Sequence, residues 1–354
     1  AEHTENGAFT DLYEQNQKRI QQIILQYASK PQQQGTLGQK IGSLYNLMMD
    51  SVRLNHEGWA PLKPTLDKIK AIKNVREYQI VTAQLDRDGE STMMFGIGVG
   101  ADQRNADWNL VGIGQGGLGL DTRDYYLSDD EQNKRVLEAY KTYLKKLFVL
   151  TGYDEATAEK KMQAVLAIET RIAKASYDQV KLRDVAANYH KMSYMQLVND
   201  FPGIDWGNVF LASGFPAFDA IDVGQPEPIH EVEKILAETS LDDLKTYAEA
   251  KVISGASSQL SDDFRKVSFE FNSVLTGVKQ DRPRWKRGVS LVSGVLGEVI
   301  GKLYVEKYFP EENKKRMLEL VHNLQTALGE RIDEASWMGA ATKAQAKDKL
   351  ANFI

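Results

Sequence analysis

Leu12, Ile20, Ile23, Ile24 and Tyr27 recur at helical spacing, which predicts a helix over 12–27 that stops before Pro31. A second helix is predicted over 37–54, with Ile41, Leu44, Tyr45, Met48 and Met49 on one side. Pro61 and Pro64 punctuate the next stretch, and a third helix is expected to start at Thr65. The clearest stripe lies in 131–150, where Val136, Leu137, Tyr140, Tyr143, Leu144, Leu147 and Phe148 form one continuous apolar face. Burying that face is worth on the order of 10 to 20 kcal/mol gross, and ordering the backbone beneath it costs at least as much. Such a helix cannot stand alone and requires a packed helical core. Similar patterning predicts helices over 154–175, 193–198, 240–253, 262–275, 289–308, 311–332 and 342–353. Only 92–99, and in a weaker form 78–85, alternate like strands. No internal repeat or low-complexity tract interrupts the pattern, so the fold class expected is mainly α with a small β element near 78–100.

Composition narrows the function classes. At 354 residues the chain is long enough for two domains. Lys and Arg number 44 against 49 Asp and Glu, for a net charge of -5, and the two signs are interspersed. No basic footprint exists for a row of phosphates, which argues against a nucleic-acid partner. The absence of cysteine excludes disulfides, thiolate catalysis and cysteine-ligated metals. No apolar run reaches the roughly 18 residues of a membrane span. The chain starts with Ala, and its last residues break off within a helical pattern, so both ends are expected to be cut and any export signal removed.

Candidate chemistry is sparse. Gly96, Gly98 and Gly100, then Gly112, Gly114, Gly116 and Gly117, suggest nucleotide-binding loops. A phosphate site needs the glycines to open a helix, whereas the first set sits in a strand-like run and the second leads into a loop. Strand and loop punctuation is the reading taken. The five histidines are His3, His56, His190, His230 and His322, and no two lie four apart as a zincin helix demands. His56-Glu57 and His230-Glu231 supply only an opening pair, followed at the fourth position by Ala60 and Lys234. The acidic pairs Asp129-Asp130, Asp242-Asp243 and Asp262-Asp263 each fall at the start of a predicted helix, where the unsatisfied N–H groups explain them. Spacing therefore yields no catalytic residue and no metal ligand.

Several motifs nevertheless resemble a known family. Gln39-Lys40-Ile41-Gly42, Tyr45, Met49-Asp50 and 58–62 are similar to a stretch of the neprilysin and endothelin-converting enzyme family of zinc metallopeptidases, which includes the bacterial endopeptidase O group. Gln115, Gly117-Leu118-Gly119-Leu120 and Arg123-Asp124-Tyr125-Tyr126-Leu127 resemble its Q-x-GL-x-LP-x-RDYYL signature, with Asp121 in place of proline. Ile168-Glu169 to Ala173, Arg183-Asp184 to Tyr189, Arg284-Trp285 and Gly301-Lys302-Leu303-Tyr304 continue the match in order. Trp337-Met338, Thr342-Lys343, Ala346 and Lys349-Leu350 resemble the family's W-M-x-x-x-T-K-x-x-A-x-x-K-L helix.

The resemblance implies the helical cap lobe of a two-lobed zincin-type metallopeptidase, the catalytic lobe lying outside this chain. It implies zinc held by that missing part through H-E-x-x-H and E-x-x-x-D, with a glutamate activating water. Residues 1–285 would form the lobe that closes over the active site, and 286–354 a helical segment crossing back towards the catalytic lobe. The partners implied are the catalytic C-terminal part of the same protein and peptide substrates, and the location is extracytoplasmic: periplasm, cell envelope or secreted. Met48 and Gly288 stand where animal members often carry cysteine, which points to a bacterial relative. Aligning Gly7-Ala8-Phe9 with the family's G-N-F places Phe9 at an aromatic wall of the S1′ pocket, the alternative being a plain core residue. Glu5 and Tyr13 then replace two arginines near the substrate's C-terminal carboxylate, which implies endopeptidase preference. The competing readings are a non-enzymatic helical binding or scaffold protein, and a nucleotide-dependent enzyme with a helix opening at Gly100 or Gly117.

Overall fold

The computed structural model describes residues 7–353. The chain begins with α1 (Ala8–Ala28), α2 (Leu37–Met49), α3 (Ser51–Glu57), α4 (Lys63–Ala71) and α5 (Val75–Arg87). A hairpin of β1 (Phe95–Asp102) and β2 (Asn105–Gln115) comes next, then α6 (Asp124–Leu127), α7 (Glu131–Leu150) and α8 (Glu155–Ala175). These lead to β3 (Lys191–Ser193), α9 (Tyr194–Asp200), α10 (Trp206–Ala212), β4 (Ala220–Val223) and α11 (Pro226–Glu238). The remainder is helical: α12 (Leu241–Ala256), α13 (Asp262–Thr276), α14 (Arg284–Val295), α15 (Gly297–Tyr308), α16 (Glu311–Glu334) and α17 (Ala340–Ala351).

The acidic pairs start helices as their positions suggested. Asp130 accepts from the backbone N–H of Gln132 and Asn133 at the head of α7, and Ser240 from that of Asp243 at the head of α12. Residues 78–85 are helical rather than extended. Asn74 caps Glu77 N–H, and the buried Tyr78, Thr82, Ala83 and Leu85 follow a helical face. The helix expected over 37–54 breaks at Asp50, whose carboxylate caps the new helix α3. That over 289–308 is broken at Leu296, between α14 and α15, which are bent by 105°.

Contacts divide the described chain into two units, 50–281 and a second made of 7–49 with 282–353. Residues 7–49 share a core with α14 and α15, onto which α1 and α2 turn their apolar faces. In the first unit, α7 packs between α8 and α13, and α12 packs across α8. Val136, Leu144, Leu147, Val165, Ile168 and Tyr247 lie in this core, and the rings of Tyr143 and Phe271 stack with centroids 5.0 Å apart. The sheet runs in the order β1-β2-β4-β3. β1 and β2 are antiparallel, β2 and β4 parallel through Val111↔Ile221 to Ile113↔Val223, and β3 antiparallel to β4.

The second unit has its own core of Ile24, Ile41, Tyr45, Val289, Val292 and Ile300. Lys286, almost fully buried, pairs with Glu14 at 2.7 Å. α16 and α17 pack against each other. No single described helix is long and apolar enough to cross a membrane. The bent pair α14 and α15 meets that test only together, and its apolar residues fill the second core.

Candidate functional site

The segment 115–127 organises the first unit around one buried carboxylate. Gln115 closes β2: its backbone N–H donates to Gln225 Oε1 at 2.8 Å. Its side-chain amide clasps the backbone of Tyr177, accepting from its N–H at 2.7 Å and donating to its carbonyl at 3.2 Å. Gly117 has φ 84, a left-handed conformation suited to glycine, and its carbonyl accepts the Tyr247 hydroxyl at 2.6 Å. The N–H groups of Gly119 and Leu120 both donate to Tyr126 Oη, at 3.1 and 3.0 Å. Tyr126 Oη donates in turn to Glu169 Oε2 at 2.9 Å. Arg123 Nη1 reaches the Ser176 carbonyl at 2.5 Å.

Glu169 on α8 is 0% exposed. Besides Tyr126, its carboxylate accepts from Tyr140 Oη at 3.1 Å and Lys251 Nζ at 2.8 Å. Burial, followed by the charge of Glu169, pushes the Tyr126 and Tyr140 phenols far above their ordinary range, so both remain donors. The tight glycine of the signature is a consequence of this network. A Cβ on Gly119 would lie 1.8 Å from Tyr140 Oη and 2.9 Å from Glu169 Oε1. The segment is therefore a structural clasp binding β2, α6, α7, α8 and α12 together, and the glycine runs open no helix at Gly100 or Gly117.

Against this clasp lies a cleft of about 640 Å³ whose walls include Glu90, Phe95, Gly96, Gly116, Leu118 and Lys251. Burial raises the Asp86 carboxyl, whose partners include the Met93 and Thr92 N–H groups, while burial and then Asp88 raise that of Glu90. A larger groove of about 1230 Å³ runs along α7, α8 and α13. Much of its charged rim is tied in ion pairs, such as Lys145 with Glu155 and Glu159, and Lys146 with Glu270. At the tip of the β1–β2 hairpin, Asp102 accepts from Lys191 Nζ at 2.7 Å, the Arg104 N–H at 2.9 Å and Tyr189 Oη at 2.8 Å. Lys191 first, then these donors, hold its carboxyl down at about 2.

The residues singled out from the family alignment lie on the second unit. Phe9 and Tyr13 are four apart on α1; Phe9 is 90% exposed and so belongs to no core of the described chain. The Tyr13 hydroxyl accepts from Arg282 Nη2 at 2.6 Å, so a guanidinium stands beside the position that tyrosine takes in place of arginine. Glu5 lies outside the described residues. Among the described residues no group of three His, Cys, Asp or Glu side chains is arranged to hold a metal ion. His190 Nδ1 meets the Val223 carbonyl and His230 Nδ1 meets Glu233, so each has a local structural role.

Sequence reasoning missed Lys251, and it quoted Glu169 only as part of a motif. The available signal was a carboxylate set within the apolar stripe Val165, Ile168 and Ile172, a position that demands a buried partner. It also missed the apolar face of α16, where Met317, Leu320, Val321, Leu324 and Leu328 are 46–62% exposed. Such a run at helical spacing marks a contact surface.

This fold, mainly helical with one small four-stranded sheet, is that of the amino-terminal part of a peptidase family. The amino-terminal model of peptidase family M13 matches residues 1–354, and the chain belongs to that family. It is 28% identical to endothelin-converting enzyme 1 of Rattus norvegicus over 98% of this chain and 46% of the relative, and the human enzyme gives the same figures. The Mycobacterium tuberculosis zinc metalloprotease Zmp1 in complex with inhibitor superposes with TM-score 0.92 at 32% identity, over 99% of this chain and 54% of that one. PepO of Lactobacillus rhamnosis, at 17% identity and TM-score 0.83, shares the fold. The chain spans about half the length of the relatives it matches.

Proposed function

We propose that this chain is the substrate-enclosing part of a zinc-dependent endopeptidase, completed by a catalytic part of the same polypeptide that holds the metal. The observation that carries this reading is the match over the whole chain to relatives about twice as long, one of them a zinc metalloprotease. The described residues offer no metal site, and α16 presents an apolar face suited to covering by a further part of the protein. Residues 1–285 act as the lobe that closes over the site and 286–354 as the segment returning to the catalytic lobe. Enclosure admits peptides and excludes folded proteins. An extracytoplasmic setting follows from the family resemblance, and a bacterial one from Met48 and Gly288 standing where animal members often carry cysteine.

Phe9 and Tyr13 contribute to the substrate pocket in this reading, together with Glu5. Glu5 repels a substrate's terminal carboxylate, whereas Arg282 beside Tyr13 attracts one. The test is metal analysis and a quenched-fluorescent peptide assay on the complete polypeptide and on this chain alone. Zinc and cleavage are expected only in the former, with comparable kcat/KM for matched peptides bearing free and amidated C-termini. Zinc-dependent cleavage by this chain alone refutes the division of labour, and a strong preference for the free acid refutes the endopeptidase assignment.

A further inference from the structure

β1 is an edge strand whose only neighbour among the described residues is β2. The direction of its backbone groups is set by hydrogen bonds on the far side of β2. Gly224 N–H donates to the Ile113 carbonyl at 2.8 Å, and the Gln115 N–H donates to Gln225. Ile113 and Gln115 therefore turn their backbone groups away from β1. In an antiparallel ladder, residues directly opposite each other share this choice. Ile113 faces Ile97, and Gln115 faces Phe95. By the two-residue period, Phe95, Ile97 and Val99 direct their N–H and C=O groups to the open edge.

Sheet edges are ordinarily blunted by lysine, proline, a bulge or a short strand. The opposite edge, β3, is three residues long and carries Lys191. From Phe95 to Ala101, β1 has neither a charge nor a proline, and its irregularity lies beyond, between Ala101 and Asp102. The alternate positions are Gly96, Gly98 and Gly100, and a Cβ on any of them would meet nothing within 4 Å. One face of the ribbon is thus bare backbone, and Val99 on the other is 61% exposed. The strand leads at Phe95 and Gly96 into the 640 Å³ cleft. There Lys251 is committed to Glu169, while no cation among the described residues pairs with Glu90.

We propose that this edge is a peptide-binding site: an extended segment of a substrate peptide adds to β1 as a fifth strand. Its backbone pairs with Ile97 and Val99, and a basic side chain near one end lies beside Glu90. Main-chain pairing gives affinity with little dependence on sequence, the glycine face admits bulky side chains, and Glu90 supplies the one charge preference. The inference rests on the peptidase reading above, and it concerns substrate residues remote from the bond that is cut.

The test uses the complete polypeptide with two probes: a lysine-containing Val/Thr-rich peptide of roughly twenty residues, and its central third as a short peptide. Val99→Pro removes an edge-facing N–H, a position where proline is tolerated. The ratio of kcat/KM for the long over the short peptide should fall about five- to tenfold, through KM, as expected for one or two lost backbone hydrogen bonds. N-methylation at alternate residues of the long peptide's distal part should produce the same loss in the unsubstituted protein. Glu90→Lys should lower the ratio for the lysine peptide and not for a glutamate-substituted one. Independently of cleavage, saturating long peptide should slow exchange of the Ile97 and Val99 amides at least fivefold. If the unsubstituted protein cuts neither peptide while that protection is seen, the peptidase reading fails and the edge site stands. Unchanged ratios and unprotected amides overturn the proposal, as does an edge protected only on dimerisation, which would assign it to a second copy of the chain.

Discussion

Lys251→Met isolates the charge pair at the centre of the clasp. The substitution keeps most of the stem and removes the ammonium 2.8 Å from Glu169 Oε1. The lysine side chain is 12% exposed and the glutamate 0%, so the carboxylate left behind is buried. Breaking a buried pair on one side costs about 3–5 kcal/mol. The Tyr126 and Tyr140 hydroxyls continue to donate to the carboxylate, which places the expected loss near the lower end, about 3 kcal/mol. Adding Glu169→Gln removes the stranded charge while keeping an acceptor for a phenol. The double variant should then be more stable than Lys251→Met by roughly 1–2 kcal/mol, a coupling that distant sites do not show. Urea unfolding, read together with exchange of the α8 amides, measures the first unit. A loss under about 1 kcal/mol for Lys251→Met, or a double variant no better than the single one, would show that the pair does not organise this core.

Gly119→Ala should destabilise the first unit by about 3 kcal/mol or more, since the new methyl group displaces the Tyr140 hydroxyl from Glu169. Thermal denaturation should find it worse than Tyr140→Phe, which loses the hydrogen bond without the clash. Asp102→Asn tests the hairpin anchor. Its carboxyl is depressed to about 2, so its contribution is fully present above the unfolded value near 3.9 and fades as pH falls towards 2. The difference in stability between the parent and Asp102→Asn should hold from pH 7 to 5 and shrink below pH 4; a gap that widens on acidification contradicts the assignment.

Helices whose apolar stripe is long were legible in the chain. In α7, six of the seven stripe residues are buried, Leu137 being partly so. The failures have local causes. β2 went unseen because Asn105 to Asn109, which pair with the irregular end of β1, are all exposed, leaving little alternation to read. α10 is only seven residues long, and α11 opens on Pro226 and Pro228, which read as loop punctuation. For the site, resemblance located the 115–127 signature, but its physical reason lies in contacts to Tyr140, Glu169, Tyr177 and Tyr247, far along the chain. No local pattern reveals that a glycine is required because a tyrosine from another helix fills its place. The edge of β1 was hidden for a related reason, since which backbone groups are left over depends on how β2 meets β4.

The split second unit sets an order of events during synthesis. α1 and α2 leave the ribosome before the helices they pack on, and Ile24 and Ile41 find Val289, Val292 and Ile300 only after a further roughly 230 residues have been made. At about 5–20 residues per second, that is a wait of roughly 10 to 50 seconds with an apolar helical pair uncovered. Closing so long a loop in an unfolded chain costs on the order of 5 kcal/mol, a penalty that falls once the inserted residues 50–281 have folded and brought their own ends under control. The Arg284 guanidinium, 3.3 Å from the Met48 carbonyl, marks the point where the early and late passages of the chain meet. The α1–α2 pair thus stays uncovered for longer than the helices of the inserted unit, and a ribosome stalled before Arg284 would display it without its partner.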